Sequence, residues 1–120
     1  MKRLMIADSS DIVRKVGKKI LAEIGYQVTE AGSGREALTR CERELPHVMI
    51  VDAGMSDALD LISNVRALPE GKSVQIYYCV VEAELKVMMA GKRAGANDFL
   101  LKPFDREILT KTFGDKAIAA

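Results

Sequence analysis

Three charged residues of this sequence, Asp8, Asp52 and Lys102, each stand directly after a short apolar run. The run over residues 48–51 is continuous and mostly β-branched, which is typical of a strand buried on both faces of a parallel sheet. The carboxyl ends of parallel strands lie along one edge of their sheet, and reacting groups gather at that edge. We therefore expect the two carboxylates and the lysine to lie close together.

Two carboxylates and one lysine are suited to phosphoryl chemistry. Carboxylate oxygens are ligands for Mg²⁺, which keeps several waters and often shares a phosphate oxygen. Lysine is a point-charge donor to phosphate. Such a site would let a carboxylate attack a phosphoryl donor while the metal and the lysine neutralise the equatorial oxygens. A purely structural interpretation stays open, in which Lys102 pairs with Asp52 as a buried ion pair.

Apolar runs alternate with helical patterns along the chain, so each charged residue is positioned by its own strand. A side chain of residues 9–11 is expected to cap the first helix, Ser33 and Glu36 form a capping box for the second, and Asp105 caps the last. The pattern predicts strands over residues 4–7, 26–31, 47–52, 74–81 and 99–101, and helices over 12–24, 34–45, 59–68, 82–93 and 106–113. This alternation is typical of an α/β fold, a three-layer sandwich around a five-stranded parallel sheet.

The spacing of apolar residues predicts which face of each helix is buried. In the first helix, the apolar set that includes Ile12 and Val16 is expected to face the sheet. The basic residues of that helix are expected to form a solvated face: Arg14, Lys15, Lys18 and Lys19. In the fourth helix, the residues expected to point inward are Leu85, Met88 and Met89.

The bulk properties of the chain argue against several classes of protein. Its 120 residues predict a single domain over residues 1–120 with no output domain, and its net charge of +1 gives no electrostatic reason to bind nucleic acid. The N-terminal apolar run is too short for a signal peptide or a membrane span, so we expect a cytoplasmic protein. Cys41 and Cys79 lack the spacing with His47 that a zinc site needs, and reduced thiols are expected.

A combination of residues that spans the whole chain resembles the receiver domain of bacterial two-component response regulators. The combination consists of Asp8 with Arg14-Lys15 behind it, Asp52 with Met55, the approach to the last strand over residues 94–99, and Lys102-Pro103-Phe104-Asp105. Taken together these features are far more specific than any one of them. The resemblance implies the flavodoxin-like receiver fold, with strand order 2-1-3-4-5.

The resemblance also implies a role for each residue at the predicted sheet edge. Asp52 would be the phospho-acceptor, and Lys102 would contact the phosphoryl group. Mg²⁺ would be held by Asp8, by Asp52 and by the backbone carbonyl of Gly54. The peptide bond between Lys102 and Pro103 would be cis.

The predicted metal site departs from the receiver pattern at Ser9. Receivers usually carry a second acid at this position, and that acid ligates the metal directly. Ser9 would offer only a weak hydroxyl contact or a bound water, so we expect Mg²⁺ to bind weakly. Asp11 could compensate, although an acid in the first turn of a helix is more often explained by the helix dipole.

The predicted switch and the loop after the acceptor also depart from the pattern. Val80 stands where receivers carry the Thr or Ser whose hydroxyl bonds the phosphoryl group, whereas Phe99 keeps the aromatic switch position. Ser56 and Asp60 replace the usual Pro and Gly of the loop that follows Asp52. We therefore expect a loop of a different shape.

Two functions from different classes follow from this pattern. The first is a single-domain response regulator, not an enzyme in the usual sense, that takes a phosphoryl group from a histidine kinase or phosphotransfer protein. It would signal to a protein target through the face formed by the fourth helix, the fifth strand and the fifth helix. The second is a degenerate receiver that binds its partner without phosphorylation, because Ser9 and Val80 each remove a needed group.

Two further functions are disfavoured by individual residues. A flavin-binding domain would need glycines after the first strand, where the backbone must approach a phosphate closely. An aspartate-nucleophile phosphatase would need a second acid at the position of Gly54.

Overall fold

Strands and helices alternate through the computed structural model of the chain, which describes residues 1–115. Residues 116–120 of the predicted domain lie outside the described residues. Within residues 1–115 the strands are β1 (Arg3–Ala7), β2 (Gln27–Ala31), β3 (Val48–Asp52), β4 (Gln75–Val80) and β5 (Asp98–Leu101), and the helices are α1 (Asp11–Ile24), α2 (Gly34–Arg43), α3 (Ala58–Ala67), α4 (Leu85–Ala94) and α5 (Arg106–Phe113).

All of these strands pair in parallel, in the order β2-β1-β3-β4-β5. This arrangement confirms the predicted α/β fold class and the strand order that the resemblance implied. Ala7 lies opposite Val51, and Asp52 lies opposite Cys79. Because β5 is also paired with β4 up to its last residue, the carboxyl ends of these strands lie along one edge of the sheet.

Side-chain oxygens cap helices at the positions that the sequence predicted. The Oγ of Ser10 accepts the N–H of Val13 at 3.2 Å, the Oγ of Ser33 accepts that of Glu36 at 3.1 Å, and the Oδ1 of Asp105 accepts that of Ile108 at 2.9 Å. Each bond satisfies an N–H that has no partner within its own helix. Gly25 and Gly95 end α1 and α4 with φ of 124° and 125°, which few other residues adopt.

Helices cover both faces of the sheet, so consecutive residues of β4 are buried on opposite sides. The ring of Tyr77 meets that of Phe113 of α5 edge-on, with centroids 4.8 Å apart. Tyr78 points to the other face, where its ring lies beside Gly91 of α4. The helices within residues 1–115 are all too short or too polar to cross a membrane.

The predicted inward face of α4 is wrong for Leu85 and Met89, whereas Met88 is half-buried. The helix begins at Leu85 rather than at residue 82, and Leu85 and Met89 are exposed to 74% and 43%. The face toward the sheet carries Val87 and Gly91 instead. The reason is steric, because the ring of Tyr78 occupies the space that a larger residue than glycine would need at position 91.

The same error occurs in α1. Ile12 and Val16 were expected to face the sheet, but their exposed fractions are 76% and 48%. The buried positions are Ile20 and Leu21, which belong to the predicted apolar set, and Gly17, which does not. At Gly17 a Cβ atom would lie 2.9 Å from the Cδ1 of Ile6, so α1 also approaches the sheet through a glycine.

We predict that Gly91→Ala destabilises the protein, although alanine normally favours a helix by about 1 kcal/mol over glycine. The new Cβ would lie 2.3 Å from the Cδ2 of Tyr78. Overpacking of this kind costs about 1–3 kcal/mol, which urea unfolding would measure. In a Tyr78→Leu background the ring is gone, and there Gly91→Ala should be neutral or stabilising. Destabilisation of equal size in both backgrounds would contradict the assigned contact.

Candidate functional site

The sheet edge brings Asp8, Asp52 and Lys102 together, as predicted. The Nζ of Lys102 lies 2.5 Å from the Oδ2 of Asp8 and 3.2 Å from the Oδ1 of Asp52. Both aspartates are buried, with exposed fractions of 3% and 8%. They are the buried charged residues of the described core, and one ammonium group bridges them.

Asp8 is held by the loop that connects β1 to α1. The Oδ1 of Asp8 accepts the N–H of Ser10 at 2.8 Å, and its backbone carbonyl accepts a bond from the Nη1 of Arg14 at 2.5 Å. The carboxylate therefore keeps its second oxygen for Lys102. Ser9, which stands between these contacts, is exposed.

Arg14 does not belong to a solvated basic face, which corrects the sequence prediction. Only 11% of its side chain is exposed, because its Nε pairs with Glu30 of β2 at 3.2 Å. Lys15 reaches the other oxygen of Glu30 at 2.8 Å. The hydrogen bond from Lys15 lowers the pKa of Glu30, and the bond from Arg14 and the nearby positive charges act in the same direction against the effect of burial.

Asp52 is held by the residues that follow it. Its Oδ1 accepts the N–H of Gly54 at 3.0 Å, and its backbone carbonyl accepts that of Met55 at 3.2 Å. The N–H of Ala53 donates to the carbonyl of Cys79 at 2.8 Å, which fixes the start of the loop to β4. Met55 itself is buried in the core.

Lys102 is placed by the end of β5, where its N–H donates to the carbonyl of Val80 at 2.8 Å. Burial alone would lower the pKa of its ammonium group. The hydrogen bond to Asp8 and the charges of both aspartates outweigh burial, so the pKa of Lys102 is raised. The Lys102–Pro103 peptide is cis, as the resemblance implied.

The residues present fit a Mg²⁺ ion that keeps several waters. Such an ion needs only one or two protein carboxylates, and Asp8 and Asp52 supply them at one edge of the sheet, where both contact Lys102. Within residues 1–115 no cluster of three or more Asp, Glu, His or Cys side chains offers a richer cage. Asp11, the other acid near Ser9, is exposed and pairs with Arg14.

Val80 and Phe99, which the resemblance assigned to the switch, lie in the same apolar cluster. Val80 is buried in the core formed with α2, α3 and α4, and Phe99 packs partly buried against the same core. Cys79 lies beside the charged cluster but is buried and free, and burial raises the pKa of its thiol to about 12. The thiol is thus neutral, as expected for a reduced structural cysteine, and Cys41 is also buried and free.

Sequence reasoning also missed a contact between the loop after Asp52 and α2. Asp57, which ends the loop after Asp52, accepts the N–H groups of Gly34 and Arg35 of α2, each at 3.1 Å. These residues are more than twenty positions apart in sequence, so no local pattern could have paired them.

An apolar cavity of about 350 Å³ opens beside Lys102. Its walls include Ile12 and Val16 of α1, Val81 after β4, and Phe104 before α5. The exposed apolar residues of α1 that the sequence assigned to the core therefore border the charged cleft.

Comparison with known proteins gives the same picture. The sequence matches the model of the response regulator receiver domain over residues 4–113. The chemotaxis protein CheY1 of Helicobacter pylori strain J99 is 31% identical over 111 residues, which cover 89% of this chain and 90% of that protein. The structure of CheY4 from Vibrio cholerae is similar at a TM-score of 0.90 and 30% identity, over 96% of this chain and 98% of that one.

A more distant structure has the same fold. The receiver domain of the sensor histidine kinase PA1611 from Pseudomonas aeruginosa is 24% identical, with a TM-score of 0.86 over 99% of this chain and 98% of that one. That protein was solved with a magnesium ion coordinated in its active-site cleft.

We predict that Lys102→Met lowers the free energy of unfolding by about 2 kcal/mol at pH 7. This lies between the cost of losing an exposed ion pair and that of losing a fully buried partner, because 17% of the lysine side chain is exposed. The control is Lys86→Met at an exposed position on α4. This substitution should change the free energy of unfolding by less than about 0.5 kcal/mol. Urea unfolding of both variants makes the comparison, and equal effects would contradict the bridging role.

The loss of stability in Lys102→Met should depend on pH, because the pKa of Lys102 is raised in the folded protein. A base whose pKa is higher in the folded state stabilises the fold fully below its unfolded pKa of roughly 10.4. This stabilisation is lost as the pH rises through the pKa of Lys102 in the folded state. The difference in unfolding free energy between the parent and Lys102→Met should therefore shrink in that pH range.

Proposed function

Since this chain belongs to the response regulator receiver family, we propose that within two-component signalling it accepts a phosphoryl group on Asp52. The observation that carries this proposal is the position of the Asp52 carboxylate at the end of β3. One of its oxygens is already oriented by the N–H of Gly54 and by Lys102, and an apolar cavity opens beside Lys102. A side chain so oriented is prepared for attack on a phosphorus atom.

In the proposed reaction, an oxygen of Asp52 forms a bond to the phosphorus of the donor. The bond between phosphorus and the donor's leaving group, the imidazole of a phosphohistidine, breaks with its electron pair going to that leaving group. One N–H of Lys102, which contacts Asp8 or Asp52 before the reaction, donates a hydrogen bond to a phosphoryl oxygen instead. Its raised pKa keeps it protonated, so it neutralises charge without a proton transfer.

Mg²⁺ would be held by Asp8 and Asp52, together with the backbone carbonyl of Gly54 and with Ser9 only weakly or through a water. When bound, the ion supplies positive charge to the phosphoryl oxygens. The PA1611 receiver, which holds magnesium in its cleft, supports this choice of metal. Weak affinity is proposed because Ser9 carries no charge and Asp11 is paired with Arg14.

The partners that we propose are a histidine kinase or phosphotransfer protein and a downstream protein target in the cytoplasm. We place the target on the face formed by α4, β5 and α5. Leu85 and Leu101 on this face are exposed to 74% and 50%, which is typical of a protein contact rather than a solvated surface. The balanced charge of the chain favours neither nucleic acid nor a membrane surface, and we expect no turnover of an external substrate.

A phosphorylation-independent binding module is the second candidate. Val80 carries no hydroxyl and is enclosed in the core. Its side chain therefore could not donate a hydrogen bond to a phosphoryl group on Asp52, and phosphorylation would not pull it toward Asp52. Lys102 contacts both aspartates, so the chain's own ammonium group offsets part of their charge.

The acceptor assignment predicts that acetyl phosphate with Mg²⁺ adds one phosphoryl group to the parent protein and none to Asp52→Asn. The amide lacks the anionic oxygen that attacks phosphorus. Asp60→Asn, an exposed position on α3, is the matched control and should be modified like the parent. Intact-protein mass spectrometry reads all three. Modification of Asp52→Asn to the parent's extent would contradict the acceptor assignment.

If neither acetyl phosphate nor a cognate kinase modifies the parent, the phosphorylation-independent module is favoured instead.

The metal assignment predicts that Ser9→Asp strengthens Mg²⁺ binding by at least about tenfold, which corresponds to 1.4 kcal/mol. A third carboxylate would join Asp8 and Asp52, and hard cations bind more tightly as ligand charge increases. Ser63→Asp on the exposed face of α3 adds the same charge away from the cleft. Titration of backbone amide shifts with Mg²⁺ measures the affinities, and equal gains for the two variants would rule out a metal site at position 9.

A further inference from the structure

The loop over residues 53–57, which we call the acceptor loop, connects Asp52 to α3 and is fixed at three points. Its first residue is tied to β4 by the bond from Ala53 to Cys79. Its middle is held by the side chain of Met55, buried in the core. Its last residue, Asp57, is tied to α2. Gly54 lies between the first two of these points and contacts the Asp52 carboxylate.

Asp57 bonds to α2, although its position at the start of α3 would favour a hydrogen bond to α3 itself. Asp57 is the N-cap residue of α3, where an aspartate ordinarily accepts an N–H of its own helix. In the described structure its side chain makes no such bond. Both carboxylate oxygens instead accept the first two N–H groups of α2, those of Gly34 and Arg35. The third N–H of α2 is satisfied separately by Ser33.

Gly34 is the residue that allows this contact. A Cβ atom at position 34 would lie 2.6 Å from the Cγ of Asp57 and 2.7 Å from each of its carboxylate oxygens. Any larger residue would push the carboxylate away from the N-terminus of α2. The carboxylate is further attracted there by the positive end of the helix dipole. Gly34 and Asp57 therefore form a matched pair across two elements.

We propose that Asp57 is a positioning residue for the phosphoryl-acceptor site, which it serves by anchoring the acceptor loop to α2. The inference rests on the proposed function of Asp52. Ser56, the neighbour of Asp57 in the acceptor loop, is exposed. The two bonds of Asp57 restrain the same segment from the side of α2, so they set the position of Gly54 relative to Asp52.

The test measures Mg²⁺ affinity and stability separately in three single variants and in the double variant of the first two. Asp57→Asn keeps the size of the side chain but replaces one accepting oxygen by an NH₂ group that faces an N–H. Gly34→Ala removes the same contact from the α2 side. Asp60→Asn makes the same chemical change as Asp57→Asn at an exposed neighbour. Amide shifts of Gly54 titrated with MgCl₂ give the affinity, and urea unfolding gives the concentration range in which each variant is folded.

Asp57→Asn and Gly34→Ala are each expected to weaken Mg²⁺ binding about tenfold, the lower end of the effect of residues that support metal ligands. The double variant should be no weaker than either single one, because both changes break one contact. Asp60→Asn should bind like the parent. A residue that only stabilises α2 would lower the unfolding free energy and leave the Mg²⁺ affinity of the folded variant unchanged.

Equal Mg²⁺ affinities of folded Asp57→Asn and Asp60→Asn would overturn the positioning role while leaving the function of Asp52 intact. In parallel, intact-protein mass spectrometry measures phosphorylation of the parent protein and of the Asp52→Asn variant. A parent that neither binds Mg²⁺ nor gains a phosphoryl group would overturn the proposed function, and the positioning role with it.

Discussion

One ammonium group between two buried carboxylates is the constraint on which this sheet edge depends. A buried carboxylate without a cation is strongly unfavourable, and Asp8 and Asp52 have one such cation between them. Lys102 reaches both only because β1, β3 and β5 end at the same edge. The sheet thus positions the charges, and the charges in turn penalise any strand register that would separate them. Site and topology are specified by the same few residues.

The parts that could be predicted from the sequence are those with a local signal. An acid or a lysine directly after an apolar run marks the end of a buried strand, and parallel pairing then places Asp8, Asp52 and Lys102 together. The helix caps were predictable for the same reason, because a cap and the N–H that it accepts lie within three residues. Strand order was supplied by the family resemblance rather than by any of these local patterns.

The parts that could not be predicted involve contacts between distant segments. Apolar spacing assigned Ile12 and Leu85 to the core, yet α1 and α4 approach the sheet through Gly17 and Gly91. A hydrophobic pattern gives no weight to glycine, although a missing side chain is what allows two elements to approach closely. The bonds of Arg14 to Glu30 and of Asp57 to α2 were missed because each joins residues that are far apart in sequence, so no local pattern pairs them.

The three tyrosines have a consequence for how the molecule can be observed. The chain contains no tryptophan, and Tyr26, Tyr77 and Tyr78 are exposed to 4% or less. Its ultraviolet emission therefore comes from buried phenol rings alone. Tyr26 and Tyr77 lie against Phe113 of α5, whereas Tyr78 lies against α4. The native protein thus carries an intrinsic optical reporter in each of its two helical layers, and a displacement of α4 would be visible without any attached dye.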